Sequence, residues 1–203
     1  MTSHAKTKWI LAFTLIITFV LSGCAGTVKN MQRFEGDPAT IVPQSGKAMI
    51  VFMRPSTLGF AIQSSVFRVT EGAPDMVGIV AAKAKVSYQA DPGEHLFMVI
   101  GESADFMSAE VEAGRTYYAL VTPRMGAWKA RFSLKPVARP DQDRTELDEW
   151  LGTCDWVEKS AATDAWAVEH VVDVQDKQTR YYETWMEKDE RDRPRLTLED
   201  GIL

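Results

Sequence analysis

One cysteine near the N-terminus carries the clearest chemistry in this sequence. Cys24 follows Leu21, Ser22 and Gly23, and the two small side chains before it let a protease approach the backbone. A thiol at this position supplies the nucleophile that attaches to a diacylglycerol before cleavage. This lipobox pattern therefore predicts cleavage between Gly23 and Cys24 and attachment of lipid to Cys24.

The residues before the lipobox are organised as a secretory signal. Lys6 and Lys8 give a positive start without any acid, and residues 9–21 are uncharged and mostly apolar. That length suits a signal peptide, whereas a membrane span needs about 20 apolar residues. An uncleaved anchor is the alternative, because residues 9–28 carry no charge, but residues 22–27 are too small and polar for a good membrane segment. We therefore expect a bacterial lipoprotein, whose acyl chains make attachment effectively permanent.

The residue after the lipid-bearing cysteine bears on localisation. Ala25 stands where an aspartate, in enterobacterial-type sorting, would favour retention at the inner membrane. The resemblance to such lipoproteins implies a cell-envelope protein anchored at the outer membrane. We expect the signal peptide to occupy residues 1–23 and a tether rich in Gly, Pro, Thr and Gln to occupy residues 24–46.

Other side chains that could do chemistry are few and scattered. His95 begins a predicted strand after a turn. His170 has only carboxylates nearby in sequence, and these provide too few ligands for a structural zinc site. Cys154 lies on an apolar helical stripe, which favours a buried thiol over a reactive one. Beyond the predicted signal peptide, Gly-x-Ser-x-Gly, Ser-x-x-Lys and phosphate-loop patterns are absent. We expect no catalytic residues, no metal and no cofactor, and an enzyme is the least favoured class.

The middle of the chain has the pattern of a β domain. Short apolar or alternating runs recur about every ten residues between Gly, Pro and Asp turns, which is typical of an antiparallel β-sandwich. The domain is predicted over residues 47–138, with seven or eight strands. The candidate strands are residues 48–53, 65–70, 76–80, 85–89, 95–100, 106–111, 116–121 and 128–134.

After residue 139 the apolar period changes to that of helices. One stripe consists of Leu147, Trp150, Leu151, Cys154 and Val157, and a second segment, residues 162–191, places Trp166, His170, Val174, Tyr181 and Trp185 on one face. The sequence therefore predicts a C-terminal extension of about two helices over residues 139–203.

Charge separates the two regions and limits the possible partners. Residues 24–138 contain 12 Lys/Arg and 10 Asp/Glu, whereas residues 139–203 contain 9 and 18, in a chain of net charge −5. Nucleic-acid binding requires a basic face, so this distribution argues against it. The acidity of the tail is most simply the solvated surface of its helices.

Tryptophan is concentrated in the acidic tail. Trp150, Trp156, Trp166 and Trp185 either seal the helices onto the sandwich or form a face that binds a partner protein of the envelope, since Trp is a favoured interface anchor. Trp156 lies off the first stripe and is the best single candidate for an exposed contact. The alternative is glycan or small-ligand binding by aromatic residues of the sandwich, namely Tyr88, Tyr117, Tyr118 and Trp128.

Three turn-and-strand segments resemble a family of bacterial envelope domains of unknown function, similar to PEGA-type sandwiches. They are residues 47–56, residues 91–95 (Asp-Pro-Gly-Glu-His) and residues 112–118 (Glu-Ala-Gly-Arg-Thr-Tyr-Tyr). The resemblance implies a compact sandwich and an envelope setting, and it supplies no catalytic residues. The sequence thus predicts a lipid-anchored envelope protein with a non-catalytic scaffold or protein-interaction role.

Overall fold

The computed structural model describes residues 28–124, 130–138 and 144–203, and these ranges form a mainly β protein. Eleven strands build two sheets, and three α-helices follow or interrupt the last strands. The strands are β1 (Met31–Arg33), β2 (Ala48–Arg54), β3 (Ser64–Arg68), β4 (Asp75–Val80), β5 (Ala84–Ala90), β6 (Gly93–Ile100), β7 (Ala104–Val111), β8 (Thr116–Arg124), β9 (Arg131–Pro136), β10 (Asp155–Lys159) and β11 (Arg195–Leu196). The helices are α1 (Arg144–Thr153), α2 (Ala161–Glu169) and α3 (Val171–Met186).

Both sheets are mixed. The six-stranded sheet has the order β1-β10-β5-β2-β8-β9, in which the β10–β5 and β2–β8 pairs are parallel. The five-stranded sheet has the order β11-β7-β6-β3-β4, in which only the short β11–β7 pair is parallel. The remaining pairs are antiparallel.

The two sheets pack face to face around one large apolar core. Phe52 of β2 and Phe97 of β6 meet across it, with ring centroids 5.1 Å apart, and the edge of Tyr88 on β5 contacts the same Phe97 ring at 5.6 Å. Removing this apolar surface from water is the dominant favourable term in folding.

Helices cover the outer face of each sheet, so the protein has four layers. On the five-stranded sheet, Phe67 contacts Trp166 of α2, and Phe106 contacts Tyr182 and Trp185 of α3. On the six-stranded sheet, α1 packs its Leu147 against Met53. Because both faces of β2 are covered, all seven of its residues are buried, which explains why its sequence is continuously apolar rather than alternating.

The predicted mainly β fold is confirmed, but an antiparallel sandwich of seven or eight strands was wrong. The eight predicted strands correspond to β2–β9, two of which, β2 and β8, already form a parallel pair. The described residues contain three further strands, and two of these, β10 and β11, form the other parallel pairs. In the segment expected to be a tether, β1 pairs with β10. In the segment expected to be only helical, β10 lies between β1 and β5, and β11 lies beside β7.

The prediction of about two C-terminal helices also requires correction to three. The first stripe ends as a helix at Thr153, because Gly152 and Thr153 are poor helix formers and the chain then extends into β10. The second stripe breaks at His170, whose φ of −103° and ψ of 6° are not helical, and this break separates α2 from α3. The buried positions of that stripe nevertheless face the five-stranded sheet, which is the packing alternative of the two left open by the sequence.

Two turns and the helix lengths complete the description. Gly93 and Gly114 adopt φ values of 119° and 80°, which glycine tolerates because it has no side chain. None of the helices described here is long and apolar enough to cross a membrane.

Candidate functional site

The four tail tryptophans lie on opposite sides of the sandwich. Trp166 and Trp185 pack against the five-stranded sheet, and Trp166 also stacks on His170 with ring centroids 4.3 Å apart. Trp150 on α1 and Trp156 on β10 lie over the six-stranded sheet and are half-buried. The structure therefore does not bring the four together into one surface. Trp185 is buried, and its position is explained by packing against Phe106.

A cleft is open on the outer face of the six-stranded sheet, and we call it the aromatic cleft. Its floor consists of side chains that alternate outward from three neighbouring strands: Met49 and Val51 from β2, Lys85 from β5, and Thr116 and Tyr118 from β8. Its volume is about 640 Å3, within the range of ordinary small-ligand sites.

Two segments of the chain form the walls of the aromatic cleft. One wall is residues 34–43, which includes Phe34 and a short 3-10 helix. The Gln89 side chain fixes it to β5, because its amide donates to the Val42 carbonyl at 3.0 Å and its Oε1 accepts from the Gln44 amide at 3.0 Å. The other wall is residues 151–156, which ends at Trp156. Phe34, Tyr118 and Trp156 give the cleft three aromatic side chains.

Lys85 places a positive charge in this cleft. The side chain is buried, and its Nζ donates to the carbonyl of Cys154 at 2.6 Å and to the carbonyl of Leu151. The ammonium also lies 4.8 Å from the centroid of the Trp156 ring, a cation–π contact. Burial lowers the pKa of Lys85, against smaller opposing contributions from Cys154 and Asp155. Nearby Asp155 forms an ion pair with Arg33 at 2.6 Å.

Cys154 is a packing residue of the cleft wall. It lies in an apolar cluster with Met53, Val137 and Leu147. Burial raises the pKa of its thiol, and the nearby charge of Lys85 offsets this only in part. The thiol is therefore protonated at neutral pH and is a poor nucleophile.

The two histidines that the structure describes make local contacts. His95 Nε2 lies 2.7 Å from the carbonyl oxygen of Asp91, in the turn before β6. His170 Nδ1 lies 2.9 Å from the carbonyl oxygen of Trp166, at the junction of α2 and α3. Across residues 28–124, 130–138 and 144–203, no three His, Cys, Asp or Glu side chains are grouped so that they could hold a metal ion.

The aromatic residues proposed for glycan contact have different environments. Tyr117 and Tyr118 point to opposite faces of β8, so Tyr117 is buried in the core and Tyr118 lines the aromatic cleft. Tyr88 packs in the core against Phe97. Trp128 lies outside the described residues, as do Gly23 and Cys24 of the predicted cleavage and lipidation site.

A second feature, which sequence reasoning missed, is a loop with exposed apolar side chains. Residues 56–62 connect β2 to β3, and we call them the apolar loop: Leu58, Phe60 and Ile62 are 54%, 76% and 43% exposed. The signal in the sequence is three large apolar residues at alternate positions, without an acid nearby, in a segment that joins two predicted strands.

Arg54 holds the apolar loop in place. Its guanidinium is buried and donates to the carbonyls of Leu58, Gly59 and Ile62 at 2.6, 2.8 and 2.6 Å, and it lies over the Phe132 ring at 4.9 Å. Burial lowers the pKa of Arg54. The three carbonyl oxygens are partners of the two terminal nitrogens, whereas the buried Nε has no hydrogen-bond partner among the described residues.

Comparison with known proteins identifies no family: no protein-family model matches the chain, and no curated protein matches it.

Proposed function

We propose that this chain is a lipid-anchored protein of the bacterial cell envelope, attached at the outer membrane through Cys24. The proposal is supported by the lipobox at residues 21–24, by Ala25 after it, and by the likeness of residues 47–118 to envelope sandwiches of the PEGA type. A packed sandwich beginning close to the lipid-bearing residue suits a domain that works at a membrane surface.

The role we propose at that surface is non-catalytic binding of a partner protein by the helical side of the molecule. The observation that carries this proposal is the corner where α2 meets α3. Val168 and Val172 are each 75% exposed there, one helical turn apart in sequence, beside Glu169 and Asp173. A partner with a small apolar pocket and a basic rim fits this α2–α3 corner.

In-cell photo-cross-linking of the full-length protein tests the partner role. A photoreactive residue at position 172 is expected to give one defined adduct, and the same residue at the exposed position 180, further along α3, is expected to give none. Val168→Asp should abolish the adduct at 172 without unfolding the protein, because the side chain is already in water. Equal adducts at both positions, or an adduct insensitive to Val168→Asp, would exclude the corner as a binding surface.

A second candidate function, binding of a glycan or small ligand, is favoured by the aromatic cleft. Phe34, Tyr118 and Trp156 offer apolar faces for stacking, and Lys85 and Thr116 offer polar groups within the same volume. Retention of the protein on purified peptidoglycan tests this function. Trp156→Ala should reduce retention and Trp150→Ala should not, because Trp150 lies outside the cleft. No retention of the parent protein would exclude peptidoglycan as the ligand.

A further inference from the structure

The apolar loop lies next to the place where the described chain begins. Phe60 and Thr57 of the loop share the lining of a cavity of about 560 Å3 with Val28, and Lys83 lines the same cavity. Val28 itself is buried, and Met31 donates its backbone N–H to the Val28 carbonyl at 3.1 Å. The N-terminal end of the described chain is therefore packed against the fold beside the loop.

Covalent geometry then limits how far a lipid on Cys24 can lie from the apolar loop. Four peptide units separate Cys24 from Val28, so their Cα atoms are at most about 14 Å apart. That distance is shorter than the roughly 30 Å hydrocarbon core of a bilayer. Acyl chains on Cys24 would therefore bring this end of the molecule, and Leu58, Phe60 and Ile62 with it, to the membrane surface.

The hydrogen bonding of the loop suits contact with lipid. Arg54 satisfies the carbonyls of Leu58, Gly59 and Ile62 from inside the protein. The Leu58 amide donates to Ser56 Oγ at 3.1 Å, and the Ile62 amide donates to the Gly59 carbonyl at 3.0 Å. Backbone groups that enter an apolar phase must be paired within the protein, and much of this loop's backbone already is.

The charges around the loop also suit contact with lipid. Residues 54–63 contain no Asp or Glu, exposed Lys29 follows Val28 in sequence, and exposed Lys83 lines the shared cavity. The other charged residues that line this cavity, Arg33 and Asp155, form an ion pair with each other. Glu149 of α1 lies on the far side of the loop, across a groove that Leu58 lines. Apolar side chains flanked by lysines are typical of segments that lie in the interface of a membrane containing anionic lipid.

We propose that the apolar loop inserts Leu58, Phe60 and Ile62 into the lipid surface to which Cys24 is anchored. This inference rests on the lipid anchor proposed above. The loop is a second, non-covalent membrane contact, and it fixes the orientation of the sandwich instead of leaving it to swing on a tether. The end that bears the loop faces the lipid.

Depth-dependent fluorescence quenching tests the insertion. The full-length lipidated protein, with Cys154→Ala as background, carries an environment-sensitive fluorophore on Phe60→Cys and is reconstituted in vesicles of phosphatidylethanolamine and phosphatidylglycerol. The matched control carries the fluorophore on Val168→Cys, because Val168 and Phe60 are almost equally exposed, at 75% and 76%. We expect nitroxides on the lipid acyl chains to quench the probe at 60 and to leave the probe at 168 unaffected.

The outcomes separate failure of the loop contact from failure of the anchor. If the protein floats with the vesicles but the probe at 60 is as accessible to aqueous iodide as the probe at 168, the insertion is wrong and the anchor stands. If the protein does not float with the vesicles, the anchor is wrong and the inference falls with it. Equal quenching of both probes by the nitroxide lipids would also overturn the proposed orientation.

Discussion

Arg54 is the residue on which the β2–β3 connection depends most. Its guanidinium donates to three carbonyl oxygens of the apolar loop. It therefore acts as a cross-link between the end of β2 and three points of one loop. A guanidinium can do this because its planar fork presents several donors in fixed directions. A lysine ammonium at this position could not reach all three carbonyls with good geometry.

Replacement of Arg54 should therefore destabilise the fold and free the loop. For Arg54→Ala we expect a loss of about 3 kcal/mol in the free energy of unfolding, because buried carbonyls lose their donor. Urea unfolding monitored by tryptophan fluorescence measures this loss. Arg180→Ala is the control, since Arg180 forms only an exposed ion pair with Asp176, and a change within about 0.5 kcal/mol is expected. Equal effects of the two substitutions would contradict the cross-linking role.

The lowered pKa of Lys85 leads us to expect that the free energy of unfolding depends on pH. Burial lowers its pKa in the folded protein, so the unfolded chain holds this proton at pH values where the folded protein has released it. The free energy of unfolding, measured relative to Lys85→Met, should therefore rise as pH increases from the lowered pKa towards the unfolded value of about 10.4. Below the lowered pKa the difference should be constant. Urea unfolding of both proteins across this range is the measurement, and a flat difference throughout would be inconsistent with a lowered pKa.

At the scale of elements, α3 is a packing helix that carries an exposed apolar side chain at each end. Val174 and Trp185 are buried against the five-stranded sheet, while Val172 and Met186 face water at its two ends. The aromatic contacts of α3 are made with Phe106 of β7, through Tyr182 and Trp185. The helix thus closes the outer face of the five-stranded sheet and presents the α2–α3 corner at its N-terminal end.

Truncation of Trp185 should reveal this packing role. We expect Trp185→Ala to lower the free energy of unfolding by about 3 kcal/mol or more, which is the usual cost of removing a buried large aromatic side chain. Val168→Ala, at an exposed position on α2, should change it by less than about 0.5 kcal/mol. Thermal and urea unfolding of both variants give the comparison. A small effect at position 185 would mean that α3 is loosely attached.

The elements differ in how far sequence could predict them. Strands β2–β9 were predictable because each combines β-favouring side chains with a Gly, Pro or Asp turn at its end. β10 was not, because Cys154 and Val157 continue the helical spacing of Leu147 and Trp150, and only the unoccupied edge of β5 makes an extended segment favourable there. β1 and β11, with three and two residues, are too short to carry a periodic signal.

The candidate sites show the same limit. The outward position of Tyr118 follows from strand alternation, but the aromatic cleft also needs Phe34 and Trp156, which reach it through the β1–β10 pairing. The apolar loop needs Arg54, and a single arginine at the end of a strand gives no hint that three carbonyls will surround it. Contacts between residues distant in sequence, rather than local propensity, create both features.

At the scale of the whole molecule, residues 139–203 are part of both sheets. They supply β10 to one sheet, β11 to the other, and helices to both outer faces. Ile202, next to the last residue, also forms an antiparallel bridge with Thr116 of β8.

A chain that ends at Ala138 should therefore fail to fold. Loss of residues 139–203 would uncover Phe67 and Phe106 on one face and Met53 on the other. It would also leave the edge of β5 unpaired. We expect near-ultraviolet circular dichroism and the cooperative urea transition to be lost. Deletion of Leu203 alone, whose side chain is 98% exposed, should leave both unchanged. A cooperative transition in the shortened chain would show that residues 139–203 are an independent appendage.

The pairing of β1 with β10 delays completion of the fold during synthesis. The side chains of Gln32 and Glu158 hydrogen-bond across 126 positions of sequence, and β10 must enter between β1 and β5 before the six-stranded sheet is complete. Such long-range pairing slows folding, because loop-closure entropy is lost before the contacts are gained. A chain that emerges N-terminus first thus cannot finish its fold until almost all of it has been synthesised. For the exported protein proposed above, this delay would favour an extended polypeptide that completes its fold after translocation.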